Sequence, residues 1–232
     1  AYAIAFSSVQ MMRNLNLWKK IEDTAQPITN IKVSHGTIER GPASATLQFN
    51  NADIEESPMA QMLEDRFLRQ CLIQKIKENN LIDLIEQRKI IEIDDLNKQK
   101  QLTLDNSSKM KASLIVASDG INSPTAKAFG IKKAGWKYKQ RGLVCAVNHS
   151  YSSNNTAYQY FLPEGPLAIL PIKNNTASIV WTESTQNAST ISEMDDLEYL
   201  SVLQNRFGDF LGKLKLTGKR LSFPLKLSIS EK

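Results

Sequence analysis

The sequence predicts a mixed α/β fold, α+β overall, in which a strand–helix half is followed by a β-rich half. Three observations predict it. Apolar residues recur at helical spacing between residues 57 and 80. The mostly apolar stretch "ASLIVASDG", residues 112–120, is typical of a strand buried on both faces of a parallel sheet. After Gly135, short strand-like stretches separated by Asn, Ser, Gly and Pro indicate an antiparallel sheet.

The first half begins with a strand over "AYAIAFSS", and Ser7 or Ser8 is expected to cap the helix that follows. Met11, Met12, Leu15 and Trp18 recur at helical spacing, which predicts a core role for all four. The stretches "ITNIKVSH" and "ASATLQFN" are predicted as strands joined by a turn at 36–41.

The clearest predicted helix is "SPMAQMLEDRFLRQCLIQKIKENN", with Ser57 as N-cap and Pro58 in the first turn. Strands are predicted over "LIDLIE", "KIIEID" and "KQLTLD", before the strand at 112–120. A short helix over 123–130 follows, with Ser123 as N-cap.

The second half is predicted to hold strands over "RGLVCAVNHS", "TAYQYFLPEG", "LAILPIK" and "TASIVWTE", then a helix over 192–207 and a last strand over "KRLSFPLKLSI". Trp136, Tyr138 and Trp181 are expected in the core or at a domain interface. The hairpin at 28–50 is assigned to the second sheet, so that the two domains interleave in sequence.

Composition excludes several classes of function. The chain has 232 residues, a net charge of +5 and no apolar run long enough to span a membrane. Its lysines are spread out, so nucleic-acid binding is not expected. Cys71 and Cys145 lie outside any CxxC pattern and are predicted to be buried thiols of a cytoplasmic protein. His35 and His149 are isolated, and no metal site is expected.

The pair Asp119-Gly120 closes the predicted strand at 112–120 and directly precedes the capped helix. At the carboxyl end of a parallel strand, glycine permits close approach of a ligand and a carboxylate can accept hydrogen bonds from sugar hydroxyls. Asp-Gly is equally common in ordinary turns. The residues alone leave both interpretations open.

Several stretches together resemble one family. "VASDGINSPTAKAFGI" resembles the second flavin motif of FAD-dependent aromatic hydroxylases typified by p-hydroxybenzoate hydroxylase, except that Ala126 or Lys127 stands where an arginine is usual. "WKYKQRGLVCAV", "AYQYFLPEGPLAILPI", "ASIVWT", "LNLWKKIEDTAQPITNIKV" and "MLEDRFLRQCL" are similar to the UbiH/VisC branch, the hydroxylases of ubiquinone biosynthesis. The family's N-terminal GxGxxG unit and C-terminal Gly-Asp motif are missing, so the chain resembles an internal fragment.

The resemblance implies cofactor-binding roles for four residues. Asp119 would lie near the FAD pyrophosphate and the path of NAD(P)H, with Gly120 allowing close approach. Arg66 and Gln61, expected on the 57–80 helix, would contact the cofactor. The alternative interpretations are a surface ion pair for Arg66 and a solvated helix face for Gln61.

The resemblance also implies a substrate pocket on the second sheet. Its expected residues come from "FLPEGPLAILP" and are Phe161, Pro163, Gly165, Pro166, Leu170 and Pro171. The same stretch can form a tight hairpin, with Gly165-Pro166 as the turn and Leu170 as a pocket wall. No catalytic acid, base or nucleophile is predicted, because the flavin carries the difficult chemistry in such enzymes.

The resemblance implies a glutathione-reductase-like FAD-binding domain, partial here, at residues 1–27 and 57–134. A substrate-binding β-sheet domain at 28–56 and 135–228 interleaves with it. The implied function is an FAD-dependent monooxygenase that hydroxylates a polyprenylated phenol in ubiquinone biosynthesis, with NAD(P)H as co-substrate. The fragment alone is expected to be nearly inactive. Alternatives are a non-catalytic binding or scaffold module, or a flavin hydroxylase for another aromatic. The expected location is cytoplasmic, with peripheral attachment to the inner membrane or to a ubiquinone-biosynthesis complex as a further expectation.

Overall fold

A computed structural model describes residues 1–37, 41–53, 58–96 and 99–231. Its helices are α1 (Phe6–Asn14), α2 (Asp65–Lys77), α3 (Pro124–Ala128), α4 (Thr185–Glu193) and α5 (Asp196–Phe207). Its strands are β1 (Tyr2–Ala5), β2 (Gln26–Ile28), β3 (Asn30–Thr37), β4 (Gly41–Asn50), β5 (Ala60–Leu63), β6 (Ile90–Leu96), β7 (Gln99–Leu104), β8 (Lys109–Ala112), β9 (Lys133–Ala134), β10 (Lys137–His149), β11 (Thr156–Leu162), β12 (Gly165–Ile172), β13 (Thr176–Ser184), β14 (Leu214–Leu216), β15 (Leu221–Lys226) and β16 (Ile229–Ser230).

The chain divides into two compact units. The larger unit contains Ala1–Glu78 and Tyr138–Leu225, and the smaller contains Asn79–Lys137 and Lys226–Lys232. The predicted mixed α/β class is confirmed. The division places residues 1–27 in the same unit as the large sheet, and the assignment of cofactor and substrate domains by residue range stays a prediction.

An eight-stranded sheet dominates the larger unit. Its order is β14-β10-β13-β12-β11-β3-β4, with β15 also paired to β10. β10 is antiparallel to β13 and β11 is antiparallel to β12, whereas β3 runs parallel to β11. The prediction that the 28–50 hairpin joins this sheet is therefore confirmed.

Helices α4 and α5 cover one face of this sheet. Alternate residues of the strands point toward them, and on β13 these are Ala177, Ile179 and Trp181, all buried in the main hydrophobic core. The helices contribute Ala188, Ile191, Tyr199, Leu203 and Phe207 to the same core. The prediction of one helix over 192–207 was incomplete. It missed α4, because "TQNASTISE" buries only Ala188 and Ile191 and so shows almost no apolar stripe.

An N-terminal layer belongs to the same unit. It joins the three-stranded sheet β1-β5-β2 to α1 and α2 around Val9, Met12, Trp18 and Cys71. Met11 and Leu15 are exposed, so the core prediction holds for Met12 and Trp18 only. The N-cap of α1 is Ala5, without a side-chain cap, instead of Ser7 or Ser8.

The helix predicted over 57–80 starts later in the structure than the sequence indicates. Residues 60–63 form β5, and the helix starts at Asp65 after an extended Glu64. Ser57 lies outside the described residues. Met62 and Leu63 are buried by pairing with β1 and β2, and this non-local pairing outweighs the helical spacing seen in the sequence.

The smaller unit holds the antiparallel meander β6-β7-β8, helix α3 and the short pair β9-β16. The strand prediction for 81–86 is wrong, since this stretch has no regular structure. The prediction of a buried strand at 112–120 is also wrong: β8 ends at Ala112, and Leu114 and Val116 are 75% and 78% exposed. A strand requires hydrogen bonds to a neighbour, and the described residues place none beside it.

Among the described residues, no helix combines the length and the hydrophobicity needed to cross a bilayer. The two cysteines are buried and free, as predicted.

Candidate functional site

The Asp119-Gly120 pair forms the entry to α3. The backbone N–H of Ser123 donates to the carbonyl of Gly120 (3.0 Å), which closes the turn. Ser123 Oγ accepts from the N–H of Ala126 (2.9 Å), which confirms Ser123 as the N-cap. Asp119 Oδ2 accepts from the N–H of Thr125 (3.0 Å). The Asp119 side chain is therefore turned toward its own helix and fixes the turn.

These contacts set the charge state of Asp119. The hydrogen bond from Ser123, followed by that from the Thr125 backbone, lowers the pKa of the exposed Asp119 carboxyl to about 2. Asp119 is an anion throughout the neutral range. It can accept hydrogen bonds but cannot act as a general acid there.

Gly120 leaves open space above the turn. Its φ of +80° lies in the left-handed region, and an added Cβ would meet no atom within 4 Å. Conformation, and not crowding, requires glycine here. The backbone is thus accessible from the groove beside it.

The groove beside this turn belongs entirely to the smaller unit and has a volume of about 510 Å³. It is lined by Asp119, Gly120, Ser123 and Thr125 together with Lys100, Lys133 and apolar residues that include Ile115 and Phe129. A second groove of about 610 Å³ is lined by residues 115–119 and β6. Both volumes lie in the range of cofactor sites.

The groove residues fit part of a dinucleotide. The open Gly120 backbone suits close approach, and the ammonium groups of Lys100 and Lys133 can pair with phosphates. Both lysines also have protein partners: Lys100 pairs with Asp95, and Lys133 donates to the Ile121 carbonyl. A phosphate would share them with these partners.

The other two predicted cofactor residues lie in the larger unit. Gln61 is in the middle of the central strand β5, opposite Ile4 and Pro27, so its predicted position on a helix is wrong. Arg66 is exposed at the start of α2. Its Nε lies 3.1 Å from Glu64 Oε2 and its guanidinium stacks on the Phe67 ring at 4.5 Å. This is the surface ion pair that the sequence left open, and a cofactor role for either residue stays a prediction.

The second candidate site is the sheet face that turns away from α4 and α5, called the open face here. The strand registers place Ile31, Leu47, Phe49, Phe161, Ala168 and Val180 on it. Leu47, Phe49 and Phe161 are 60%, 47% and 53% exposed. The same registers place Gln159 and His35 on this face, which is otherwise mainly apolar. An exposed apolar surface rimmed by polar residues often marks a binding surface. One end is covered by β2 and β5, where Ile28, Met62 and Ala157 form a small core.

The predicted pocket residues fall on both sides of the sheet. Phe161, Pro166 and Leu170 lie on the open face, and Leu170 packs at the edge of the small core. Pro171 is fully buried and opposite Ala177, on the face covered by the helices. Pro171 therefore shapes the core and does not reach the open face.

The hairpin turn differs from the prediction. Pro163 and Glu164 form it, whereas Gly165 and Pro166 already belong to β12. Gln140 Nε2 donates to the Glu164 carbonyl (2.6 Å). Gly165 has φ of +141°, and a Cβ there would lie 2.5 Å from Thr182 Cγ2, so both conformation and space require glycine.

Sequence reasoning missed the residues that β3 and β4 bring to the open face. Ile31, Phe49 and Met59 line a pocket of about 350 Å³ with Asn50 and Asp53. The alternation in "ASATLQFN" predicts one apolar face for β4, but the sequence does not show what that face adjoins.

Comparison with known proteins relates the chain as a whole to one group of enzymes. No family model matches the chain. The chain is 29% identical over 231 residues to the ubiquinone hydroxylase UbiL of Rhodospirillum rubrum, covering 99% of this chain and 52% of the relative. It is 26% identical over 228 residues to the mitochondrial ubiquinone biosynthesis monooxygenase COQ6 of Dictyostelium discoideum, covering 86% of this chain and 45% of that protein.

Its homologues are ubiquinone hydroxylases. The chain spans about half the length of these hydroxylases. Among solved structures, PqsL of Pseudomonas aeruginosa, described as a probable FAD-dependent monooxygenase, matches with a TM-score of 0.75 at 16% identity, over 94% of this chain and 63% of that chain. The likeness shows that the fold is shared. The predicted resemblance to ubiquinone-biosynthesis hydroxylases is thereby confirmed.

Proposed function

We propose that the chain is part of an FAD-dependent monooxygenase that hydroxylates a polyprenylated phenol in ubiquinone biosynthesis. The observation that carries the proposal is the sheet with one face closed by helices and an opposite apolar face left open. The similarity to ubiquinone hydroxylases over nearly the whole chain supports it.

The proposed reaction consumes O2 and two electrons. One oxygen atom enters the ring as a hydroxyl and the other leaves as water, so a hydride donor is needed, and NAD(P)H is proposed for that role. Reduced flavin supplies the oxygen activation. The chain's own residues position the ring and exclude water.

We assign the open face to the substrate. Phe161, Pro166 and Leu170 offer an apolar wall, which suits an aromatic ring, and the register places His35 beside Phe161. The pocket formed by Ile31, Phe49 and Met59 adjoins the same face and suits an apolar tail. The smaller unit's groove at Asp119 and Gly120 is assigned to part of the FAD.

The test is ubiquinone production in a strain that lacks its own ubiquinone hydroxylase and carries the complete reading frame that contains this chain. Phe161→Ala is expected to reduce ubiquinone production about tenfold or more, because it removes an aromatic wall worth roughly 1.5–3 kcal/mol when fully buried by substrate. Leu197→Ala is the matched control, since Leu197 is an 80% exposed apolar residue on α5 and should have no effect.

The cofactor is tested separately by titrating the purified chain with FAD and following flavin absorbance and fluorescence. The chain alone is expected to bind FAD weakly at best. If the product of the complete reading frame restores no ubiquinone and remains colourless with added FAD, the proposal is contradicted and the non-catalytic binding module is favoured.

A further inference from the structure

A short basic ribbon lies in the smaller unit, and apart from Lys133 and Ser230, which also line the groove assigned to FAD, its residues have no role in the proposed function. It consists of residues 132–137 and 226–231, and is called the basic ribbon here. β9 pairs with β16 in its centre. At its two ends, the N–H of Glu231 donates to the Lys132 carbonyl (3.0 Å) and that of Leu227 donates to the Trp136 carbonyl (2.9 Å). The two stretches are thus held together along their length.

The ribbon exposes a large aromatic side chain. Trp136 is 58% exposed, whereas the other two tryptophans, Trp18 and Trp181, are 2% and 0% exposed. The sequence predicts a core or interface position for Trp136, but within its unit it lies at the surface. Ile229 on the paired stretch is also exposed. Both apolar side chains thus lie on a hydrogen-bonded ribbon and are open to solvent.

Lysines surround this aromatic residue. Lys133, Lys137 and Lys226 line a shallow groove of about 240 Å³ together with Trp136. Lys132 is the fourth lysine of the ribbon, and Glu231 is its acidic residue. The groove therefore carries positive charge next to an apolar surface.

We propose that the basic ribbon docks on the surface of an anionic phospholipid bilayer. Tryptophan is favoured at the headgroup level, where its ring is half in the apolar region. Lysines bury their alkyl stems there and bring the ammonium groups to lipid phosphates. A nucleic acid fits less well, because single-strand binders stack successive bases on several aromatic rings, and the groove offers one. The inference rests on the proposed function in one respect: a polyprenylated substrate dissolves in membranes, which would give the docking a purpose.

The test is flotation of the 232-residue chain with vesicles of phosphatidylcholine alone or mixed with phosphatidylglycerol. Binding is expected with the anionic vesicles and weak with the neutral ones. It should be lost near 1 M salt, where the Debye length falls to about 3 Å. Trp136 should shift its fluorescence to shorter wavelength on binding. Trp136→Phe should abolish that shift while the buried Trp18 and Trp181 still emit.

A matched pair of triple variants separates the ribbon from overall charge. Lys133→Gln/Lys137→Gln/Lys226→Gln is expected to lower the partition coefficient about 100-fold, because each lysine near an anionic bilayer strengthens binding about fivefold. Lys213→Gln/Lys215→Gln/Lys219→Gln removes the same charge from the larger unit and should change it less than about threefold.

Equal losses in the two triple variants, no binding to anionic vesicles, or displacement from vesicles by single-stranded DNA would overturn the inference. The assay contains neither FAD nor substrate. The flotation result therefore does not depend on the proposed function. A protein that is active as a hydroxylase but does not bind vesicles would refute only the proposal that the basic ribbon docks on a bilayer.

Discussion

Glu183 is predicted to be the most costly charged residue to remove from the larger unit. It is 1% exposed at the end of β13. Trp181 Nε1 donates to its Oε1 (3.0 Å), and Asn187 Nδ2 donates to its Oε2 (3.3 Å). Arg206 of α5 lies 3.6 Å from the same carboxylate, with its own side chain 12% exposed. The carboxylate thus joins the sheet to both covering helices.

Glu183→Ala would leave the Arg206 charge and the Trp181 N–H without their acceptor inside the core. Removing one partner of a buried pair costs about 3–5 kcal/mol. Glu183→Gln keeps an oxygen acceptor and the side-chain shape, so its cost should be smaller. Glu64→Ala breaks the exposed pair with Arg66 and should cost less than about 1 kcal/mol.

The assay is urea unfolding followed by tryptophan fluorescence in a Trp136→Phe background. The remaining tryptophans, Trp18 and Trp181, both belong to the larger unit. The free energy of unfolding is compared at unchanged m-value. A Glu183→Ala variant within about 1 kcal/mol of Glu64→Ala would refute the reasoning, because the buried carboxylate would then be no more important than a solvated one.

Three further predictions follow from the geometry. Gly165→Ala should destabilise the larger unit by about 1–3 kcal/mol in the same urea assay, because its methyl group would overlap Thr182, whereas Gly218→Ala, with open space around the Cβ, should cost less. Asp119 has a folded pKa of about 2, below its unfolded value, so the stability it contributes is present above about pH 4 and is lost as the pH falls through 2; a carboxyl NMR titration midpoint near 4 would contradict its capping role. Cys71 and Cys145 are buried, and burial raises the pKa of Cys145, so both thiols should react with a thiol reagent only on unfolding; rapid labelling of the native chain would show that the core opens.

The sequence predicts elements whose signal is local and misses those that depend on distant partners. Ser123 is found as an N-cap because the cap contact spans three residues. β5 is misread as helix because its identity comes from pairing with β1 and β2, far away in the chain. α4 is missed because its polar residues face solvent and Ser184 alone signals its start.

The candidate sites divide in the same way. Asp119-Gly120 is found from its sequence pattern, and the groove beside it is present in the structure. The sequence does not show that the carboxylate would be held by Ser123 and Thr125, because that depends on the turn geometry. The open face combines β3, β4 and β11, and a parallel pairing of β3 with β11 joins segments more than a hundred residues apart.

The stretch 113–120 shows how far a hydrophobic pattern can be trusted. Its apolar residues predict a strand buried on both faces, yet Leu114 and Val116 are exposed and unpaired by any described strand. The pattern reports that these side chains favour burial, but burial needs a neighbouring strand and a covering layer. Ile115, Ala117 and Asp119 line both grooves of the smaller unit, and Leu114 and Val116 line one each. The apolar side chains that lack a strand partner therefore form walls of the proposed cofactor region. An FAD bound there would cover part of this apolar surface and would supply burial that no described strand provides.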